Sequence, residues 1–329
     1  MIITLEGATV HTYSQLVSMT GGSIGSDDIV VVPPGAELIM DTDAELGGLV
    51  VQGLLTVEDG RDIELSSDWV AVIDGGHFQV GTEDDPHVSD FTLTLTGDDP
   101  NQNVNISEIL MQAGQSMMPG MDEMVLEDQD AFLMVMGEGS RLDLHGVDAA
   151  KTSWTQLDGT AEAGATSITL VEAFGWEVGD RIAIASTDFD PDQAEELTIT
   201  GVSDDGLTIT FEPPLGYMHY GEVDRYDDPD GDIHQLDMRA EVALLSRNAK
   251  GQGDGDYDAD VPLSEQVVKF GGLSMVMIYA ELYVSGTEFA YMGQAGTLGR
   301  YPVHWHEMDD VSGQYITDSS VHHSFNKGI

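Results

Sequence analysis

The chain has 329 residues, 60 of them Asp or Glu against 11 Lys or Arg, a formal charge of −49 that repels nucleic-acid phosphates and anionic membrane surfaces alike. It has no cysteine, which excludes disulfide staples and thiolate metal sites, and no apolar run near the roughly 18 residues that cross a bilayer. With 41% hydrophobic residues it is long enough for one elongated domain or two ordinary ones, held by core packing alone. The carboxylate excess has two readings, a surface adapted to high salt or a set of oxygen-rich calcium sites. An anionic partner of any kind would need local Arg, Lys or a bridging cation.

The opening MIITLEGATVHTY lacks the charged-then-apolar pattern of a secretory signal, and residues 1–27 read as a lead-in with strand character. Then come DDIVVVPPGAELIMD, GGLVVQGLLTVEDG and WVAVIDGGHFQVG, β-branched runs separated by Gly, Asp and Pro at the roughly 8–12-residue spacing of all-β folds. Residues 101–130 break the pattern with methionines and few turn glycines, an insertion whose methionines suit adaptable core filling and whose place suits a short helix over the end of the sheet stack. Strands resume with FLMVMGEGSRLDLHG, SITLVEAFGWEVGDRIAIAS and LTITGVSDDGLTITFEPPL, followed by an Asp- and Gly-rich stretch from 224 to 260. KFGGLSMVMIYAELYVSGTEFAYMG and VHWHEMDDVSGQYITDSSVHHSFNKGI look like successive solenoid turns, each burying what no single turn could bury alone. Stopping at Gly328-Ile329 without a cap, the chain reads as a fragment of a longer protein.

The run from VQGLLTVEDG to FTLTLTG, with Gly53, Gly75, Gly76, Gly81 and Gly97 at its turns, resembles the eight-glycine domain of fibrocystin-like proteins and of the cell-migration-inducing hyaluronidases. RLDLHGVDAAKTSWTQL, GDRIAIASTDFDPDQAEELTIT, RAEVALLSRN, VKFGG and GRYPVHWHEMDDVSGQYITDSSVHHSF are similar to that hyaluronidase family in the same order. The resemblance implies an all-β chain: an eight-glycine domain over 28–155, then a right-handed parallel β-helix over 156–329 that ends early. The acidity suggests a bacterial-type or halophilic homologue. An extracellular or cell-surface location and action on polysaccharide are implied with it, although activity must be argued from a site.

Four of the ten histidines fall within twenty residues. Alternation puts His304 and His306 on one face of a strand and Trp305 on the other, and His322 and His323 arrive a turn later, where one could stack beside the first pair. With Asp310 or Asp318 they would suit a transition metal or a general acid and base; the alternative is hydrogen-bonded histidines that support turns. Arg300 could hold a sugar carboxylate by two hydrogen bonds, or form a structural ion pair. Asp188, Asp190, Asp192, Glu195 and Glu196 form a carboxylate group that could supply a glycosidase pair, bind calcium, or turn the chain in water. Asp254, Asp256, Asp258, Asp260 and Glu265 fit positions one, three, five, seven and twelve of a calcium loop, but Ala259 stands where the loop wants Gly. Tyr217, Tyr220 and Tyr226 with His219 could line a sugar groove, whereas Trp69, Trp154, Trp176 and Trp305 suit a core.

These readings converge on a hyaluronidase-like glycan depolymerase. Its expected catalytic residues are His304, His306, Asp188 and Glu195; Arg300, Tyr220 and His322 are expected to bind substrate, and Asp254, Asp256, Asp258 and Glu265 calcium. The rival is a non-catalytic calcium-binding matrix or adhesion module, and a lyase is the third possibility.

Overall fold

The computed structural model describes residues 1–97, 102–115, 124–126, 131–227, 230, 232–254 and 270–329. They form two compact units, Met1–Asp148 with Arg247–Ile329, and Ala149–Ser246.

The first unit is a parallel β-solenoid with three sheets. Its first sheet stacks Ile2–Thr4, Ile29–Val32, Gly48–Val51, Trp69–Ile73, Phe132–Met136, Leu273–Met277 and His304–His306. The second stacks Val10–Thr12, Glu37–Met40, Leu54–Val57, His77–Val80, Arg141–His145, Glu281–Ser285 and Tyr315–Thr317. The third stacks Ala44–Leu46, Ile63–Ser67, Phe91–Leu95, Ala249–Gly253, Thr287–Ala290 and Ser320–His322.

Each strand has two faces, and one of them points inward. Val30, Leu49, Val70, Leu133 and Val276 from the first sheet meet Leu38, Leu55, Phe78, Leu142 and Leu282 from the second and Leu65, Leu93 and Phe289 from the third in one interior core. Corners between strands are tight. A Cβ on Gly53 would come 2.3 Å from the Ala36 carbonyl oxygen, and one on Gly76 would come 2.0 Å from that of Val51, so two of the glycines at expected turns admit the coil beneath.

Residues 1–27, read from the sequence as a lead-in, already contain the first strands of two sheets. A helix, Tyr13–Met19, then follows, capped reciprocally by Thr12 and Gln15, and buries Tyr13 and Leu16 in the interior core. Seven residues, YSQLVSM, are too few to show a helical stripe. The insertion after residue 100 does carry a short helix, Ile106–Gln112, but it does not cap the end of the stack. It packs Ile106 and Leu110 on the outer side of the first sheet, because Val31, Val50, Trp69, Phe132 and Met134 point outward there and need cover from water. Trp69 and Phe132 stack with ring centroids 5.8 Å apart.

Where the sequence reading runs the β-helix unbroken from 156 to 329, the structure interposes the second unit between Arg141–His145 and Ala249–Gly253. That unit is an antiparallel sheet ordered Trp154–Gln156, Glu241–Leu244, Arg181–Ile184, Glu195–Val202, Thr208–Glu212 and Ser167–Thr169. Leu157, Trp176, Ile182, Leu197, Ile209, Phe211 and Val242 form its own core. Short strands in both units read alike in sequence, since alternation does not encode the direction of a neighbour.

Candidate functional site

Arg141, Asp143 and His145 alternate with Leu142 and Leu144, which face the interior core, so the three ionisable side chains share the outer face of the second sheet. Parallel register adds the rest of the cluster. His77 pairs with Arg141, Arg141 with Glu281, Asp143 with Tyr283, His145 with Ser285, and Tyr283 with Tyr315.

Asp143 is the hub, with its side chain 4% exposed. Arg141 grips it with two nitrogens, Nε to Oδ2 and Nη2 to Oδ1 at 2.8 Å. His77 Nε2 stands 2.6 Å from Oδ2 and His145 Nε2 3.3 Å from Oδ1, while His145 Nδ1 meets the Ser285 hydroxyl at 3.0 Å. Burial alone would raise the Asp143 pKa; hydrogen bonds from His145, His77 and Arg141 overcome it and hold the carboxyl far below the usual range.

Above this hub lies a half-buried aromatic rim. The Arg141 guanidinium sits 4.2 Å over the Tyr283 ring, and Tyr283 meets Tyr315 edge to face at 5.5 Å. Glu281 accepts from the Tyr283 hydroxyl at 3.3 Å and lies 3.7 Å from Arg141 Nη1. Burial and the neighbouring carboxylates, Glu281 for Tyr283 and Glu83 for Tyr315, raise both phenol pKa values, which keeps these hydroxyls protonated donors. The outer face thus presents a guanidinium, two phenols and two rim carboxylates, groups that can pair with a charged ligand or exchange protons.

The histidines expected together are divided between sheets. His304 and His306 do share the outer face of the first sheet, with Trp305 turned toward the core and its indole donating to Gln314 at 2.7 Å. His304 Nε2 lies 3.4 Å from His306 Nδ1. Burial first, then repulsion from His306, lowers the His304 pKa to about 4, against a smaller opposing effect of the Ser274 backbone. His322 instead belongs to the third sheet, in register with Ala290. Eighteen residues carry the chain past two faces of a coil and not back to the same one, as the pairing of His306 with Met277 shows.

His322 is engaged at both nitrogens: Nδ1 meets His323 at 2.7 Å and Nε2 meets Glu288 Oε1 at 3.1 Å. Glu288, 2% exposed, also pairs with Lys250 at 3.2 Å and accepts from the Arg247 amide at 3.2 Å. Arg300 donates to Gln294 at 2.7 Å, and the Asp310 carboxylate caps the Ser312 amide at 2.9 Å.

In the second unit, Asp188 and Tyr220 line one open cavity of about 670 Å³ with Thr187, Met218, Met238 and Arg239. The Tyr220 hydroxyl donates to Asp224 at 2.7 Å. Glu195 is committed to a turn: its oxygens accept from the amides of Gly216 and Tyr217, at 2.6 and 3.2 Å, and His219 Nε2 lies 2.9 Å from Oε1. The other ring nitrogen of His219 meets the Ala185 carbonyl at 2.9 Å, so this buried imidazole ties the loop down. Of the expected calcium loop, Asp254 ends the described stretch and is exposed, whereas Asp256, Asp258 and Glu265 lie outside the described residues. Among the described residues no three His, Asp or Glu gather to hold a metal ion, and no helix is long and apolar enough to cross a membrane.

Residues 19–158 match the G8 domain, and residues 269–329 match the CEMIP beta-helix. It is similar to Fibrocystin-L of Homo sapiens, 31% identical over 337 residues that cover 92% of this chain and 7% of that protein. Fibrocystin-L of Mus musculus is 30% identical over 95% of the chain and 8% of its own length. Cell surface hyaluronidase CEMIP2 of Homo sapiens is 33% identical over 172 residues, 49% of this chain and 12% of that protein. The chain therefore spans under a tenth of the Fibrocystin-L proteins it matches.

The Asp143 hub lies inside the G8 match and its aromatic rim inside the CEMIP beta-helix match. Sequence reasoning missed it although RLDLH carried a signal, three ionisable residues alternating with two leucines. Its partners stand 66 and 140 residues away, at His77 and Ser285, which no local pattern reveals.

Proposed function

We propose that this chain is the glycan-acting part of an extracellular or cell-surface protein, a hyaluronidase-like depolymerase of a uronate-containing polysaccharide. The observation that carries the reading is the Arg141 guanidinium, held by the buried Asp143 and laid over Tyr283 on the flank of a parallel solenoid. In a chain of net charge −49, an anionic sugar needs such a fixed local cation. Similarity to a protein named Cell surface hyaluronidase CEMIP2 supports the substrate class.

In this reading Arg141 takes the sugar carboxylate, and Tyr283 and Tyr315 present ring surface and hydroxyls to the chain. Glu281 and Glu83 serve as the carboxyl pair, one protonating the glycosidic oxygen while the other activates water. The test is size analysis of hyaluronan and other uronate polysaccharides incubated with the full-length protein. Shortening that disappears in Arg141→Gln and in the rim variant Glu281→Gln, with folding intact, supports the reading. Binding without shortening leaves the adhesion module in its place, and products that absorb in the near ultraviolet would replace hydrolysis by elimination.

A further inference from the structure

Three short segments far apart in sequence share one pattern: Met134-Val135-Met136, Met275-Val276-Met277 and His304-Trp305-His306. All three are strands of the first sheet, and parallel register stacks them. Met134 pairs with Met275 and Met275 with His304; Met136 pairs with Met277 and Met277 with His306. The middle residues Val135, Val276 and Trp305 turn to the interior core, so four thioethers and two imidazoles share the outer face.

Methionine here could be no more than filling, since Met134, Met136 and Met275 belong to the apolar cluster under the insertion. The imidazoles need another explanation. His304 is 7% exposed, its ring lies against the Ser274 backbone, and Nε2 is the nitrogen turned to His306. Its Nε2 stands 3.4 Å from His306 Nδ1, longer than the roughly 2.7–3.2 Å of a good nitrogen-donated hydrogen bond. Two nitrogens each bound at about 2.0–2.1 Å to one tetrahedral ion lie about 3.3–3.4 Å apart. The pair therefore has the span of a metal clamp.

The donor set then selects the ion. Thioethers are soft and uncharged, and there is no thiolate to add. A site built only from neutral donors beside Leu273 and Phe132 bears a single positive charge at less desolvation cost than a double one. We propose that His304 and His306, with Met277 and Met275 from the adjoining strand, form a copper(I) site. It is separate from the second-sheet cluster and does not depend on any action on glycan.

The experiment is a competition between the full chain and the indicator bicinchoninate for copper(I), held reduced by ascorbate. The wild type is expected to withdraw one equivalent. Met275→Leu with Met277→Leu keeps apolar volume and removes sulfur, and should weaken capture at least tenfold while the urea midpoint stays close to wild type. His304→Gln with His306→Gln should abolish it. Copper-edge X-ray absorption should show sulfur neighbours that the leucine pair removes. Absence of capture, or capture that ignores the leucine pair, overturns the assignment; so does equal binding of zinc(II), since zinc takes no help from thioethers.

Discussion

The outer faces of the first and second sheets are made by the same coils, yet one is an apolar flank with methionines and two histidines, while the other gathers Arg141, Asp143, His145 and His77. Their inward residues are interchangeable in kind, Val135 and Val276 on one, Leu142 and Leu144 on the other. The difference lies entirely in the outward half of each strand. In a solenoid the interior sets the fold, and each outward ladder is free to become a separate surface.

Removing the hub of the second face should have the largest effect. Asp143→Ala leaves the guanidinium of Arg141 and two imidazoles without their shared acceptor, and should cost about 3–5 kcal/mol in urea denaturation at pH 7. The folded pKa of Asp143 is depressed, so its contribution is complete above the unfolded value of about 3.9 and shrinks as pH falls below it. Wild type and variant should converge in acid.

On the first face the sign concerns a base. His304 has a folded pKa of about 4 against about 6.5 unfolded, so the unfolded chain gains the proton first and stability is lost as pH falls from 6.5 toward 4. His304→Gln, measured with chelator present, should remove about 3 kcal/mol of that pH dependence. A smaller effect is expected outside both faces. Glu195→Gln in the antiparallel unit weakens two backbone hydrogen bonds and the His219 contact, for about 1.5–3 kcal/mol, and faster hydrogen exchange at Gly216 and Tyr217 would check it. Met275→Leu with Met277→Leu should stay within about 1.5 kcal/mol of wild type; a larger loss would mean that the first face needs methionine shape and not merely apolar volume.

Much of the solenoid was legible in the sequence. Runs such as IVVV and WVAVI announce strands, GGH and QGL announce corners, and HWH announces which side chains share a face. These depend on the backbone and on burial within a few residues, which sequence order preserves. The antiparallel unit from Ala149 to Ser246 was legible as strands but not as a separate body, because SITL and RIAI look the same whether their neighbour runs parallel or antiparallel.

What the sequence by itself determined was therefore the local half: strand, turn, inward or outward, and a chemistry-bearing residue at each step. Only the tertiary structure decided which outward residues meet. Neighbours in a ladder are one coil apart in space but any distance apart in sequence, since an insertion can lengthen a coil without moving its strands. That is why His304 and His322, close in the chain, lie on different sheets, and why Asp143 and Ser285, with a whole antiparallel unit between them, reach the same imidazole.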